Sequence, residues 1–285
     1  MRIGLRMLVC FVGASTIAMA QGGGRGGPGS EALREGTRLD VEGKTAEAKA
    51  VFQKAIDTAA TPAAKANAQR AMAMSYAFDG DCKNTGKYEQ MVIDYWMTQE
   101  KDQPGNAFYQ EGEMANEAAR VCIDAGDLDA AGSWYKKGHD LGLKEPNISP
   151  GRKDLWEFRT EHALARLAAR RGNKAEAQKH VAAAKAVLDH LQSADAALYQ
   201  QQQAFFPYLT GYVALYTGDY KTALEDLQKA NTNDAFIQCL IGMTYEKLGE
   251  KDKAMDWYRK ASTAGAHNPP AAFARPFTRK KLAGA

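Results

Sequence analysis

The stretch Ile241-Gly242-Met243-Thr244-Tyr245-Glu246-Lys247-Leu248-Gly249-Glu250-Lys251-Asp252-Lys253-Ala254-Met255-Asp256-Trp257-Tyr258-Arg259-Lys260-Ala261 decides the fold. Its apolar residues recur at three- and four-residue steps, the period of a helix, and Gly249 punctuates the run once. The pattern predicts two helices joined by a tight turn. Gly242 and Ala254 put small side chains where the two backbones must approach. Tyr258, four residues after Ala254, fills the space beside that crossing.

The same spacing recurs upstream. It reads Gly211, Gly218, Ala223, Leu227 and Ala230, then Ala165, Gly172, Ala177, Val181 and Ala184. Before these come Ala119, Gly126, Ala131, Tyr135 and Gly138, and first of all Gly36, Gly43, Ala48, Phe52 and Ala55. A weaker copy, Ala73, Tyr76 and Gly80, lies between the first and third. Each helix pair carries an apolar face it cannot bury alone, so neighbouring pairs must stack. No sustained strand alternation occurs.

With these residues in place, most of positions 31–265 resemble the tetratricopeptide repeat family. The resemblance implies an all-α fold: a right-handed superhelical solenoid of antiparallel helix pairs, about six repeats, with a C-terminal capping helix. The departures are a missing Trp at the start of the first helix, an absent or displaced closing Pro, and a longer period. Ala73, Ala119, Ala165 and Gly211 lie 46 residues apart, so helices or loops are extended. The domain reading is 1–20 export signal, 21–30 Gly-rich flexible linker, 31–265 repeat domain, and 266–285 C-terminal cap and basic tail. His267-Asn268-Pro269-Pro270 stops the preceding helix, and the helix after it is expected to bend at Pro276.

The signal reading rests on Arg2 and Arg6 ahead of an apolar run to Ala20, with Ala18-Met19-Ala20 as the cleavage pattern. Cleavage before Gln21 leaves an exported chain, periplasmic or extracellular. Cys10 lacks the context of a lipidation site. The expected mature chain has no transmembrane span.

Without Arg2 and Arg6, 35 basic residues face 34 acidic ones. That near-neutral balance lacks the footprint of a nucleic-acid binder. Three cysteines remain beyond the signal, Cys82, Cys122 and Cys239. Adjacent repeats touch, so a Cys82–Cys122 disulfide is sterically open, with two buried free thiols as the alternative. Five histidines form no metal-ligand pair, and no nucleophile elbow or phosphate loop occurs. The reading is therefore a non-enzyme with no cofactor and no metal.

In the family the first helix of each pair lines a concave groove. Carried onto this sequence, that implies strips at Arg70 with Asn67, at Asn116, Glu117 and Arg120, and at Arg159, His162, Arg166 and Arg170. A fourth strip is an aromatic ladder, Phe205, Tyr208, Tyr212 and Tyr216, at the same helical spacing. The expected function is a protein–protein interaction scaffold that holds an extended peptide or partner segment, its carboxylates taken by the arginines. Two bland readings stand beside it: a solvated face for the arginines and inter-repeat core for the tyrosines. The alternative function is an accessory carbohydrate-binding or envelope-assembly protein, which needs those rings exposed to solvent.

Overall fold

The computed structural model describes residues 28–284, with side chains from residue 31. The signal at 1–20 and most of the 21–30 linker lie outside the described residues; Pro28–Ser30 open the first helix. Among the described residues the chain is helical throughout, without strands. Six helix pairs follow one another: α1 (Pro28–Glu42) with α2 (Thr45–Asp57), α3 (Pro62–Phe78) with α4 (Cys82–Met97), and α5 (Pro104–Ala125) with α6 (Leu128–Gly142). Then come α7 (Pro150–Arg170) with α8 (Lys174–Ala194), a short α9 (Ala196–Gln202), α10 (Phe206–Tyr216) with α11 (Tyr220–Leu227), α12 (Ala235–Lys247) with α13 (Lys251–Ala261), and a closing α14 (Pro269–Ala283). No helix among the described residues is long and apolar enough to cross a membrane.

Local chemistry fixes the turns. The two- or three-residue turn between the helices of every pair holds one left-handed glycine, Gly43, Gly80, Gly126, Gly172, Gly218 or Gly249, with φ from 70 to 90°. Only glycine enters that region without strain. In four pairs the next residue caps the second helix: Asp81, Asp127, Asn173 and Asp219 accept from backbone N–H groups three residues on, at 3.0 to 3.3 Å. Glycine and cap together reverse the chain within two or three residues.

Small residues let the paired helices cross closely. A methyl group on Gly36 would meet the Phe52 ring, on Gly211 the Leu227 side chain, and on Gly242 the Tyr258 ring. Ala48, Ala119, Ala165, Ala177, Ala223 and Ala254 are fully buried at equivalent crossings. The core is a series of apolar clusters, each shared by successive pairs. The long period comes from long helices: α5 has 22 residues and α7 and α8 have 21 each, against 13 and 11 for α12 and α13.

The closing helix does more than cover the last pair. Phe273 and Phe277 pack on it, 4.9 Å from the Phe236 ring and 5.5 Å from the Tyr258 ring. The opposite edge, Ala271 and Ala272, packs with Ala77, Phe78 and Val121 of α3 and α5. Arg275 donates to the Val41 carbonyl at 2.6 and 3.1 Å, reaching the first pair. The two ends of the stack are therefore joined through α14. Pro276 sits inside this helix, where proline removes a hydrogen bond and costs about 3 kcal/mol. Tertiary packing holds α14 helical.

Candidate functional site

The first helices of the second to fifth pairs carry a continuous polar ladder. Arg70 of α3 donates through Nε to Glu117 of α5 at 3.1 Å. Arg159 of α7 pairs with Glu113 of α5 and donates to the Tyr109 hydroxyl at 3.2 Å. Arg166, two turns further along α7, donates to the Tyr135 hydroxyl at 2.6 Å and to the Tyr208 hydroxyl at 2.9 Å. Arg170 reaches the Tyr212 hydroxyl at 3.3 Å and lies 4.9 Å over the Tyr216 ring. Each link ties one first helix to a neighbour, so the ladder runs across the stack.

Charge does not balance in its middle. Arg120, Arg166 and Arg170 all pull electrostatically on the carboxyl of Asp124, which burial nevertheless pushes up to about 6. Arg120 makes no hydrogen bond or ion pair among the described residues. The Nε of Arg166 is buried without a partner. His162 is also buried, its Nε2 unpartnered, and burial with the nearby Arg166 and Arg120 holds its pKa well below the usual histidine range. A neutral imidazole beside two guanidinium groups leaves a site that favours an anion.

The structure brings the expected residues together and corrects their accessibility. Tyr208 is 7% exposed and Tyr212 is fully buried, because their rings seal α10 against α7 and α12. Arg166 is 5% exposed and His162 8%, so they stand behind the open surface as inter-repeat core. Of the aromatic ladder, Phe205 is exposed and Tyr216 half-buried. Buried rings remove the basis of the carbohydrate reading. Asn116 lies against Gly138, so close that a methyl group there would strike its amide. Asn67 is exposed. Arg70, Arg120, Arg159 and Arg170 stay partly accessible. Cys82 and Cys122 form a disulfide with Cα atoms 4.6 Å apart, and Cys239 is a buried free thiol. No group of residues suited to a metal ion occurs among the described residues.

Sequence reasoning missed Glu89 and Glu111. Glu89 occupies, in the weak second copy, the position held by Phe52, Tyr135 and Tyr258 elsewhere, sixteen residues after the small residue Ala73. It is fully buried with both oxygens unpartnered, and burial beside Glu117 raises its pKa well above the carboxylate range. Extending the repeat spacing through that copy would have found it. The arginine partners were also findable, since Glu113 and Arg159 lie 46 residues apart, one repeat.

Serial helix pairs with glycine turns and a shared, stepwise core define a helical-repeat solenoid. The tetratricopeptide repeat family matches residues 237–264, which hold most of α12 and all of α13. That match and the all-helical stack together support a tetratricopeptide-repeat protein, and such a repeat suggests a protein–protein interaction scaffold. The family is typically non-catalytic. No curated protein matches the chain.

Proposed function

We propose that this is an exported, non-catalytic scaffold that holds a carboxylate-bearing segment of a partner protein in its concave groove, at Arg120. The uncompensated cationic charge around Asp124 carries this reading. Three guanidinium groups act on one carboxyl, so the cluster keeps an excess of positive charge, and Arg120 has its donors free. An incoming carboxylate would form charge-assisted hydrogen bonds of roughly 1.5–3 kcal/mol each. The Cys82–Cys122 disulfide supports export, since such bonds persist in oxidising compartments.

The test is capture from the native organism with wild-type and Arg120→Glu chains. The scaffold reading expects a defined set of proteins on the wild type and loss of that set on the variant. Identical sets on both would remove Arg120 from recognition. N-terminal sequencing of the mature protein checks export: it should begin at Gln21, and an intact Met1 would contradict it.

A further inference from the structure

The groove already has an occupant. Helix α14 lies between α3 and α5 on one side and α12 on the other, its alanine edge toward Phe78 and Val121 and its phenylalanines toward Phe236 and Tyr258. Three features mark that occupancy as replaceable. Open clefts of about 250 and 210 Å³ flank α14, both lined in part by Pro276 and Lys280, so the helix is not sealed along its edges. Pro276 leaves α14 dependent on the bed for its shape. The segment between Ala261 and Pro269 contains no helix, so the link from α13 to α14 is a loop, and lifting α14 away uncovers Tyr258 and Ala261 of α13 without breaking a helix.

The occupant is also chemically incomplete. Its sequence, Pro269 to Ala283, contains no acidic residue, so it leaves Arg120 without a carboxylate. One of the two clefts beside it is lined by both Asp124 and Lys280, one helical turn along α5 from Arg120. We infer that this bed is a binding site for an amphipathic helix of a partner, occupied at rest by α14, and that the partner enters by displacing it. The fitting helix has two aromatic residues four apart on one edge, small residues on the other, and a carboxylate near its C-terminal end. Such a helix satisfies both the apolar bed and Arg120, whereas α14 satisfies only the first. This inference rests on the scaffold reading and names the partner's form.

The test uses labelled synthetic peptides and the full-length chain. One peptide has the sequence of residues 268–284, and a second carries Lys280→Glu. Fluorescence anisotropy measures their binding to wild type, to Arg275→Ala, which loses the bonds to the Val41 carbonyl, and to Arg275→Ala with Arg120→Glu. The native peptide should bind the Arg275→Ala chain roughly tenfold more tightly than wild type, because less of the bed is filled. The acidic peptide should bind that chain more tightly still, and the added Arg120→Glu should erase the gain. Peptides with Phe273 and Phe277 replaced by alanine should not bind. Equal affinity for wild type and Arg275→Ala, with both chains helical by circular dichroism, overturns the inference. If Arg275→Ala does not fold, His267→Ala loosens the same seam and is read the same way. The peptides need no natural partner, so this test can fail while capture succeeds, and the reverse.

Discussion

His267 Nε2 lies 2.8 Å from Asp40 Oδ2, joining residues 227 positions apart. Asp40 is buried in α1 and also accepts from the Ser75 hydroxyl at 2.8 Å. The His267 ring stacks on Phe78 at 5.6 Å and lies 5.5 Å from Phe52. One imidazole therefore knits the loop before α14 to the first two helix pairs.

Removing that imidazole leaves a buried carboxylate short of a partner, a loss of roughly 1–3 kcal/mol. His267→Ala should lower the urea midpoint accordingly and speed hydrogen exchange in α14 more than in α7. Ser75→Ala removes the other partner of Asp40 and should lower the midpoint without that selective effect on α14. Equal exchange rates in α14 of wild type and His267→Ala would show that the contact does not hold the helix down.

Arg166 serves two hydroxyls from inside the stack, so its loss and theirs should differ in size. Tyr208→Phe removes one hydrogen bond to a guanidinium that keeps its bond to Tyr135, and should cost about 1 kcal/mol. Arg166→Ala empties a buried volume and strands the Tyr135 and Tyr208 hydroxyls, and should cost about 3 kcal/mol or more. Chemical denaturation at one pH compares them. Equal costs would contradict a shared role for the guanidinium.

The buried carboxyls set a pH dependence. Burial raises Glu111 from 4.5 to about 7, so between those values the folded chain holds a proton that the unfolded chain releases. Stability from this group is full below about 4.5 and declines as pH rises through about 7. Asp124 and Glu89, also raised, act in the same direction. His162, held neutral in the fold, acts oppositely and loses stability as pH falls below 6.5. Glu111→Gln should therefore gain stability over wild type on going from pH 5 to pH 8, by roughly 1–3 kcal/mol. A difference that does not change with pH would place Glu111 in solvent.

The disulfide links residues 40 apart, from the start of α4 to the middle of the stack's third pair. Closing that loop restricts the unfolded chain, and Cys82→Ser with Cys122→Ser should lose roughly 2–4 kcal/mol. Cys239, fully buried, should stay unreactive toward thiol reagents in the native state. Thermal melts with and without reductant check the first statement, and mass spectrometry after alkylation checks the second.

The turns and crossings were legible in the sequence because they depend on residues with no substitute: glycine at φ near 80° and Gly or Ala where backbones meet. The polar ladder was only half legible. Helical spacing put Arg159, Arg166 and Arg170 on one face, but spacing cannot tell whether that face meets solvent or the next pair. The answer depended on Tyr135 and Tyr208, contributed by α6 and α10 from either side. Least legible was the seat of α14. Its alanines and phenylalanines read as a plain cap, and the bed that receives them is formed by α3 and α5, well over a hundred residues earlier.

The central claim is a stack of helix pairs whose two ends are held together by α14. Double electron–electron resonance between spin labels at Lys54→Cys on α2 and Lys260→Cys on α13 tests it directly, with the buried Cys239 left unlabelled. A closed stack gives one narrow distance distribution in the wild-type background, and the distribution broadens when Arg275→Ala is added. A broad distribution already present in the wild-type background would contradict closure.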